Sequence, residues 1–253
     1  MLSSLTAFDE CGNECLNFLP LYKASIGPEI YHIKRTREGG ASQSGTAVGV
    51  RGSFERIGRY KWYAGVEGLY GSGTIKGHSA NGLKLKSKLT DRMIEGRVGY
   101  TFQSKCGWLP SFTPFVGYGY SEELNHYKSP SPLLVNFKNR ASYFSFGFLS
   151  SVMITQSLTV GFNLKARSLV DPECLVKNDP VFDQLKMHIS DEVQYRFELP
   201  FYYDFYSCSQ VFELGLVPFY ESRHYGGREN YPFDFLDTKL KVYGLNLQFT
   251  YRF

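Results

Sequence analysis

No segment of this chain of 253 residues approaches 18 consecutive apolar residues, the length at which a transmembrane helix is predicted. The mean hydropathy is −0.26, although hydrophobic residues make up 43% of the chain. The sequence therefore predicts no transmembrane helix. A membrane protein of another kind is still compatible with these values, because a strand that alternates lipid-facing and lumen-facing residues keeps a low mean hydropathy.

A strong charge imbalance is also missing. The formal net charge is +4, from 28 Lys and Arg against 24 Asp and Glu, whereas a nucleic-acid binder is expected to carry a larger and clustered positive charge. The sequence has no glycine-rich phosphate loop, no Cys or His spacing typical of a metal site and no dinucleotide-binding fingerprint. We therefore expect no nucleic-acid partner, no metal and no cofactor.

The chain is rich in Tyr and Phe, with 19 and 21 copies, and much of it alternates with period 2, as strands with two different faces do. In the clearest segment, Phe144, Phe146 and Phe148 lie on one face and small or polar residues on the other. The segment 158–169 repeats the pattern after a tight turn at 155–157. This alternation predicts an all-β protein.

The same pattern predicts about ten strands, each long enough to cross a bilayer at a tilt; eight and twelve strands are the alternatives. An even number suits an antiparallel meander that closes on itself. The predicted strands are 25–36, 45–56, 61–71, 89–103, 112–122, 142–154, 158–169, 187–199, 210–220 and 239–253.

The predicted connections differ in length from one end of the strands to the other. Long polar segments at 72–88, 123–141, 170–186 and 221–238 alternate with short turns, which is the arrangement of outer-membrane barrels. The predicted fold is therefore a closed, antiparallel, up-and-down transmembrane β-barrel over residues 21–253. Residues 1–20 are predicted to form a periplasmic N-terminal arm, and its first seven residues are interpreted as the remnant of a signal peptide.

The last strand carries the most specific motif in the sequence. Leu247, Phe249, Tyr251 and the final residue Phe253 alternate with polar residues. This spacing resembles the C-terminal strand signal of bacterial outer-membrane proteins, which the barrel assembly machinery recognises. The resemblance implies a location in the bacterial outer membrane, contact with its lipid, and the assembly machinery as a partner during biogenesis.

Charges of both signs fall on the inward-facing positions of the predicted strands. A salt-bridge network that packs the lumen is the favoured interpretation, since isolated buried charges are costly. A narrow or gated porin-like pore is the alternative. The predicted lumen charges are Arg51, Glu55, Glu67, Glu95, Arg97, Lys165, Arg167, Glu192, Arg196, Glu198, Glu213 and Arg252.

A second function class is a surface adhesin that acts through its outer loops. The predicted loop 72–88 contains Lys76, Lys84, Lys86 and Lys88 and no acidic residue. Exposed cations of this kind attract lipopolysaccharide phosphates or sulfated host glycans. The alternative is a loop whose charge only keeps it hydrated.

Enzymatic activity is not expected, although some small outer-membrane barrels are proteases or lipid-modifying hydrolases. His188 is close in sequence to Ser190 and Asp191, and His224 lies near Glu221. Neither forms a recognised catalytic spacing.

The five cysteines are all predicted to lie outside the strand cores. Cys11 and Cys15 form the simplest disulfide, which the periplasm permits. Cys106 and Cys208 fall in short turns, and Cys174 falls in a long outer loop. This cysteine usage resembles that of the cross-linked envelopes of chlamydia-like bacteria.

Overall fold

The computed structural model describes residues 22–57, 61–102, 110–132, 134–207 and 210–253. These residues form an all-β structure, and they include no helix that is long and apolar enough to cross a membrane. The predicted arm, residues 1–20, lies outside the described residues. The strands are β1 (Tyr22–Arg37), β2 (Ser42–Arg56), β3 (Lys61–His78), β4 (Lys84–Thr101), β5 (Ser111–Tyr127), β6 (Asn136–Met153), β7 (Leu158–Asp179), β8 (Asp183–His188), β9 (Val193–Glu198), β10 (Phe201–Ser207), β11 (Gln210–Tyr225) and β12 (Thr238–Arg252).

The sheet closes into a barrel of ten strand positions, as the alternation predicts. Each strand pairs antiparallel with its neighbours, and β1 pairs with β12 from Lys23 opposite Arg252 to Arg37 opposite Thr238. Three short strands share the eighth position, because β8, β9 and β10 all pair with β7, while β9 and β10 also pair with β11. The eighth strand is therefore interrupted.

The boundaries of this eighth strand differ from the prediction. Residues 200–209 are predicted to be a turn, yet Phe201–Ser207 is a strand that continues the wall. One interruption separates β8 from β9 at 189–192, and the other falls at Leu199 and Pro200, where Gly161 donates its N–H to the Pro200 carbonyl at 2.7 Å. Proline has no N–H of its own to donate to a ladder. Pro200 therefore interrupts the strand between β9 and β10, but it does not end the wall.

We call the end of the barrel with the short turns its inner end and the opposite end its outer end. Along the inner half, the wall has apolar side chains on its outer surface and polar side chains toward the lumen. Trp62, Ile26 and Phe144 are 70%, 60% and 58% exposed on the outer surface, while Glu95 and Glu29 are buried inside. This arrangement is the reverse of that in a soluble protein, where apolar side chains are inside, and it suits a wall whose outer surface contacts lipid.

The outer part of the wall has the opposite pattern. On β3, Ile75 is buried inside and Lys76 is exposed outside; on β12, Leu240 and Val242 are buried and Lys241 is exposed. Where the strands extend beyond the lipid, their outer surface is in contact with water and their interior must be packed with apolar side chains. The barrel therefore has an outer extension with a conventional apolar core.

This extension corrects three of the four predicted long loops, while most of the fourth, 221–238, is a connection. Most of 72–88, 123–141 and 170–186 is strand, and the outer connections are only 38–41, 79–83, 128–135, 180–182 and 226–237. Outward polar residues gave these segments a low hydropathy, which resembles that of a loop. Lys76, Lys84, Lys86 and Lys88 consequently lie on β3 and β4 and not on a flexible loop.

Candidate functional site in the barrel interior

The centre of the lumen contains a chain of buried ion pairs that begins at Arg51 on β2. Arg51 donates to Glu29 on β1, with 3.0 Å between Nη2 and Oε1, and also to Glu67 on β3. Glu67 accepts a second guanidinium from Arg97 on β4 at 2.8 Å, and Arg97 contacts Glu55 at 3.2 Å. Glu29 and Glu67 are each shared between cations, which offsets the cost of burying the charges.

The next contacts connect this side of the wall to β7 and β9. Lys165 on β7 lies 3.1 Å from Glu95 and 3.5 Å from Glu67. Arg196 on β9 lies 2.9 Å from Glu221. Arg196 also lies 3.4 Å from Glu29, so the pairs cross the lumen and do not follow one strand ladder.

One ion pair joins opposite walls. Arg223 on β11 and Asp91 on β4 are 2.7 Å apart, and these strands occupy the ninth and fourth of the ten positions in the barrel. At a similar level, Arg35 on β1 donates to Glu123 on β5. A hydrogen-bonded ion pair between opposite walls divides the bore at that level.

A separate cluster of charges lies at the inner end of the barrel. Arg252 on β12 donates to Glu213 on β11 and contacts Asp204 on β10 at 3.1 Å. Lys23 on β1 lies 3.6 Å from Glu213 and is partly exposed. This end of the interior is the wetter one, because the side chains of Lys23, Glu55 and Glu198 are 23%, 16% and 21% exposed.

Among the predicted lumen charges, one lies elsewhere. Glu192 is partly exposed and contacts His224 at 3.3 Å on the outside of the wall, because β9 begins only at Val193 and the predicted inward phase does not extend back to Glu192. The structure places the other eleven in the interior network. The prediction missed interior charges on β1 and in the segments taken as loops or strand ends. They are Lys23, Glu29, Arg35, Asp91, Glu123, Asp204, Glu221 and Arg223.

An apolar cluster fills the outer extension and extends inward among the outermost charges, since Met93 lies on the inner side of Asp91 along β4 and Phe219 on the inner side of Arg223 along β11. Its members come from nearly every strand and from the outer connections, and they include four buried tyrosines and one cysteine. Cys174, predicted in an outer loop, is buried in this cluster on β7, because a bulge at 140–142 opposite 170–173 resets the inward phase. Burial raises the pKa of the Cys174 thiol to about 12. The cluster includes Tyr31, Ile33, Leu69, Ile75, Leu89, Met93, Tyr127, Tyr143, Leu169, Cys174, Ile189, Phe219, Tyr225, Phe235, Leu240 and Val242.

The space left between these side chains is small. A cavity of about 10 Å³ is lined by residues that include Glu67, Arg97 and Lys165, and another of about 30 Å³ lies beside Arg35 and Gln43. Such volumes accommodate a water or two. The described residues contain no group of His, Cys, Asp and Glu side chains that could hold a metal ion.

Outside the wall, His224 is held between two carboxylates. Its Nε2 is 2.5 Å from Asp237 and its Nδ1 is 3.3 Å from Glu192. Partial burial opposes the charged form of Asp237, but the hydrogen bonds and positive charges of His224 and Lys239 together outweigh it and lower the pKa of the carboxyl. The other predicted histidine, His188, lies 3.7 Å from Asp171 on the exposed surface. The structure does not bring the two histidines into one site.

The remaining predicted residues divide between described and undescribed parts of the chain. Leu247, Phe249 and Phe253 are exposed on the outer surface at the inner end, and Tyr251 stacks on Phe253 with 5.4 Å between ring centroids. Their recognition by assembly machinery stays a prediction. The predicted Cys11–Cys15 disulfide lies outside the described residues, as do Cys106 and Cys208.

No family model matches this chain, and no curated protein is detectably similar in sequence. Solved structures that share its architecture include two bacterial outer-membrane proteins. The outer membrane protease OmpT from Escherichia coli aligns with a TM-score of 0.61 and 11% identity over 92% of this chain and 96% of its own. The translocator domain of the autotransporter NalP from Neisseria meningitidis aligns with a TM-score of 0.52 and 12% identity over 98% of this chain and 93% of its own.

Likeness at this level of identity shows the fold. Together with the exposed apolar band of the wall, it defines the class: this chain is an outer-membrane β-barrel, a ten-stranded antiparallel barrel located in the bacterial outer membrane.

Proposed function

We propose that this protein is a sealed structural barrel of the outer membrane, which spans the bilayer without conducting solutes. The observation that supports this most directly is the Arg223–Asp91 contact of 2.7 Å between opposite walls. Ion pairs toward the inner end, together with the apolar cluster that surrounds this contact and continues outward from it, occupy the rest of the interior.

The two layers block different kinds of solute. An ion that entered from the inner end would have to displace paired charges, of which Glu67, Lys165 and Arg196 are each held by more than one partner. An ion that reached the apolar cluster would lose its hydration without gaining a polar partner, which costs several kcal/mol or more. Either layer alone would make conduction slow.

Planar-bilayer recording tests this proposal. We expect no discrete conductance steps from the purified barrel over many insertions. Glu67→Ala and Arg97→Ala each remove part of the central network. Double variants that combine either substitution with Arg223→Ala also remove the contact between opposite walls. We expect conductance to appear first in the variants that lack Arg223.

Lys177→Ala, on the outward face of β7, is the matched control and should stay silent. Discrete ohmic steps from the parent protein would overturn the sealed-barrel proposal and favour the narrow pore.

A further inference from the structure

Six lysines form a ridge on the outer surface of the extension, and we propose that this ridge binds the phosphate groups of a lipopolysaccharide-type glycolipid in the outer leaflet. This binding activity is additional to the proposed structural role, and it does not depend on whether the lumen conducts. Its members, here called the lysine ridge, are Lys34, Lys76, Lys84, Lys86, Lys88 and Lys241.

The strand register brings these lysines together. Lys241 on β12 is opposite Lys34 on β1, Lys34 is opposite Ser44 on β2, Ser44 is opposite Lys76 on β3, and Lys76 is opposite Lys86 on β4. Directly opposite residues of an antiparallel pair point to the same face, with Cβ atoms about 5 Å apart. Four lysines therefore share one row across five strands.

The ridge lacks internal compensation. Among the described residues, none of its six ammonium groups lies within 4 Å of a carboxylate. Two of the register pairs, Lys34 with Lys241 and Lys76 with Lys86, set like charges directly opposite each other, which destabilises a sheet. A bound anion would remove this repulsion.

The far side of the barrel shows that this pattern is local. On β6 to β8 three of the four outward cations are paired, Lys177 being the exception: Lys138 lies 2.7 Å from Glu122, and Arg140 lies 2.6 Å from Glu173, which also binds Lys186. There, the hydrogen bonds from Lys186 and Arg140 lower the pKa of Glu173. Unpaired positive charge is thus concentrated on the β12-to-β4 side.

The ridge is inclined relative to the membrane surface, and this inclination indicates which anion it binds. Exposed Tyr243 and Tyr70 mark the outer edge of the lipid-facing band. Lys241 is two residues beyond Tyr243 along its strand, and Lys76 is six residues beyond Tyr70. At roughly 3.3 Å per residue and a tilt of about 40°, these lysines stand about 5 and 15 Å above that edge.

The row therefore climbs from the headgroup layer to well above it. Simple phospholipids offer phosphates in the headgroup layer alone, which only the Lys34 and Lys241 end would reach. A glycolipid that carries phosphates on its lipid-linked sugars and on the saccharide above them would meet the whole row. We therefore assign the ridge to lipopolysaccharide and not to a phospholipid surface.

The test measures binding of fluorescent lipopolysaccharide to the full-length barrel, refolded in neutral detergent, beside the same lipopolysaccharide after enzymatic dephosphorylation. The ridge variant is Lys34→Gln, Lys76→Gln, Lys86→Gln and Lys241→Gln together. The matched control removes as many cations from the far side: Lys138→Gln, Arg140→Gln, Lys177→Gln and Lys186→Gln. Gel mobility of unboiled samples checks that each variant folds.

We expect the ridge variant to bind about 100-fold more weakly than the parent, since a lysine near an anionic surface contributes roughly fivefold and neighbouring charges screen one another. The control should stay within about threefold of the parent. The parent should bind dephosphorylated lipopolysaccharide as weakly as the ridge variant binds the intact form, and its binding should fall steeply with added salt.

Any of these results would overturn the proposal: equal losses in the two variants, undiminished binding after dephosphorylation, or absence of binding by the folded parent at low salt. Stronger binding to soluble heparin than to lipopolysaccharide would also overturn it, and would favour an adhesin that recognises sulfated glycans.

Discussion

A single buried carboxylate shows how strongly the interior depends on compensation. Glu67 is in contact with Arg51, Arg97 and Lys165 on three other strands. In a low-dielectric interior, each of these cations is tolerated because this anion is shared among them. The stability of the charged layer therefore rests on individual side chains more than on the number of ion pairs.

We predict that Glu67→Gln lowers the free energy of unfolding by about 3–5 kcal/mol, the usual cost of breaking a buried pair from one side. The amide keeps the shape of the side chain, so the loss would be electrostatic and not a packing effect. Urea unfolding of the barrel in detergent, followed by Tyr and Trp fluorescence, measures it.

Glu122→Gln is the control for this measurement, because Glu122 pairs with Lys138 on the outer surface. An exposed pair contributes about 1 kcal/mol at most. If the two variants lost equal stability, the interior charges would not be compensated in the way described.

At the scale of strands, the sequence was informative wherever one face was apolar and the pattern kept its phase. The strand 142–154 is visible from Phe144 and Phe146 because lipid demands an apolar outer face. Beyond the lipid the demand reverses, and the pattern on β3 passes from outward Tyr70 to inward Ile75 without a break. A hydropathy reading that expects one polarity takes this reversal for the end of the strand.

The interior site was predictable only in part, for a related reason. Arg97 and Lys165 were identified because they alternate with apolar residues inside the lipid-spanning stretch. Glu29 lies on β1, where the alternation is irregular, and Arg223 lies beyond the last outward apolar residue of β11. Contacts across the lumen, such as Arg223 with Asp91, depend on barrel diameter and tilt, which no single strand encodes.

The interrupted eighth strand leaves one weak element in the outer wall. β8 pairs with β7 along one edge, and its other side is held by the connection 226–237. The Asn230 side chain replaces a strand residue there: its Oδ1 accepts the His188 N–H at 2.8 Å and its Nδ2 donates to the His188 carbonyl at 2.9 Å.

We predict that Asn230→Ala raises the exchange rate of the His188 amide roughly tenfold, since the variant loses a side-chain bond to that amide. Hydrogen–deuterium exchange of peptides covering β8 measures it, while peptides from β3 and β4 should be unaffected. Gln184→Ala, at an exposed position on the same strand, should leave the exchange unchanged. Unaltered exchange in the Asn230 variant would show that another contact holds this edge.

The whole molecule has two different ends. Its inner half is a lipid-facing wall around paired charges, and its outer half is a water-facing wall around an apolar core. The two halves share the same strands, so neither can unfold without disturbing the other. Such a continuous ladder should give one cooperative and slow unfolding step.

We predict that the folded barrel resists sodium dodecyl sulfate at room temperature and migrates differently on a gel before and after boiling. Its circular dichroism spectrum in detergent should be β-rich, without a helical component. A chain that stays soluble and monomeric without detergent, and whose migration does not change on boiling, would contradict the transmembrane assignment.

The pairing of β1 with β12 has a consequence for the order of events during folding. This seam joins residues from opposite ends of the described chain, such as Lys23 and Arg252, so its formation carries the largest loop-closure entropy in the barrel, about 5 kcal/mol for a loop of this length. Until the seam forms, two strand edges present unpaired N–H and C=O groups that hydrocarbon cannot solvate. Every other hairpin can form locally and early, whereas closure waits for the last strand. A partly built sheet is therefore confined to the water side of the membrane, and insertion and closure should occur as a single late event.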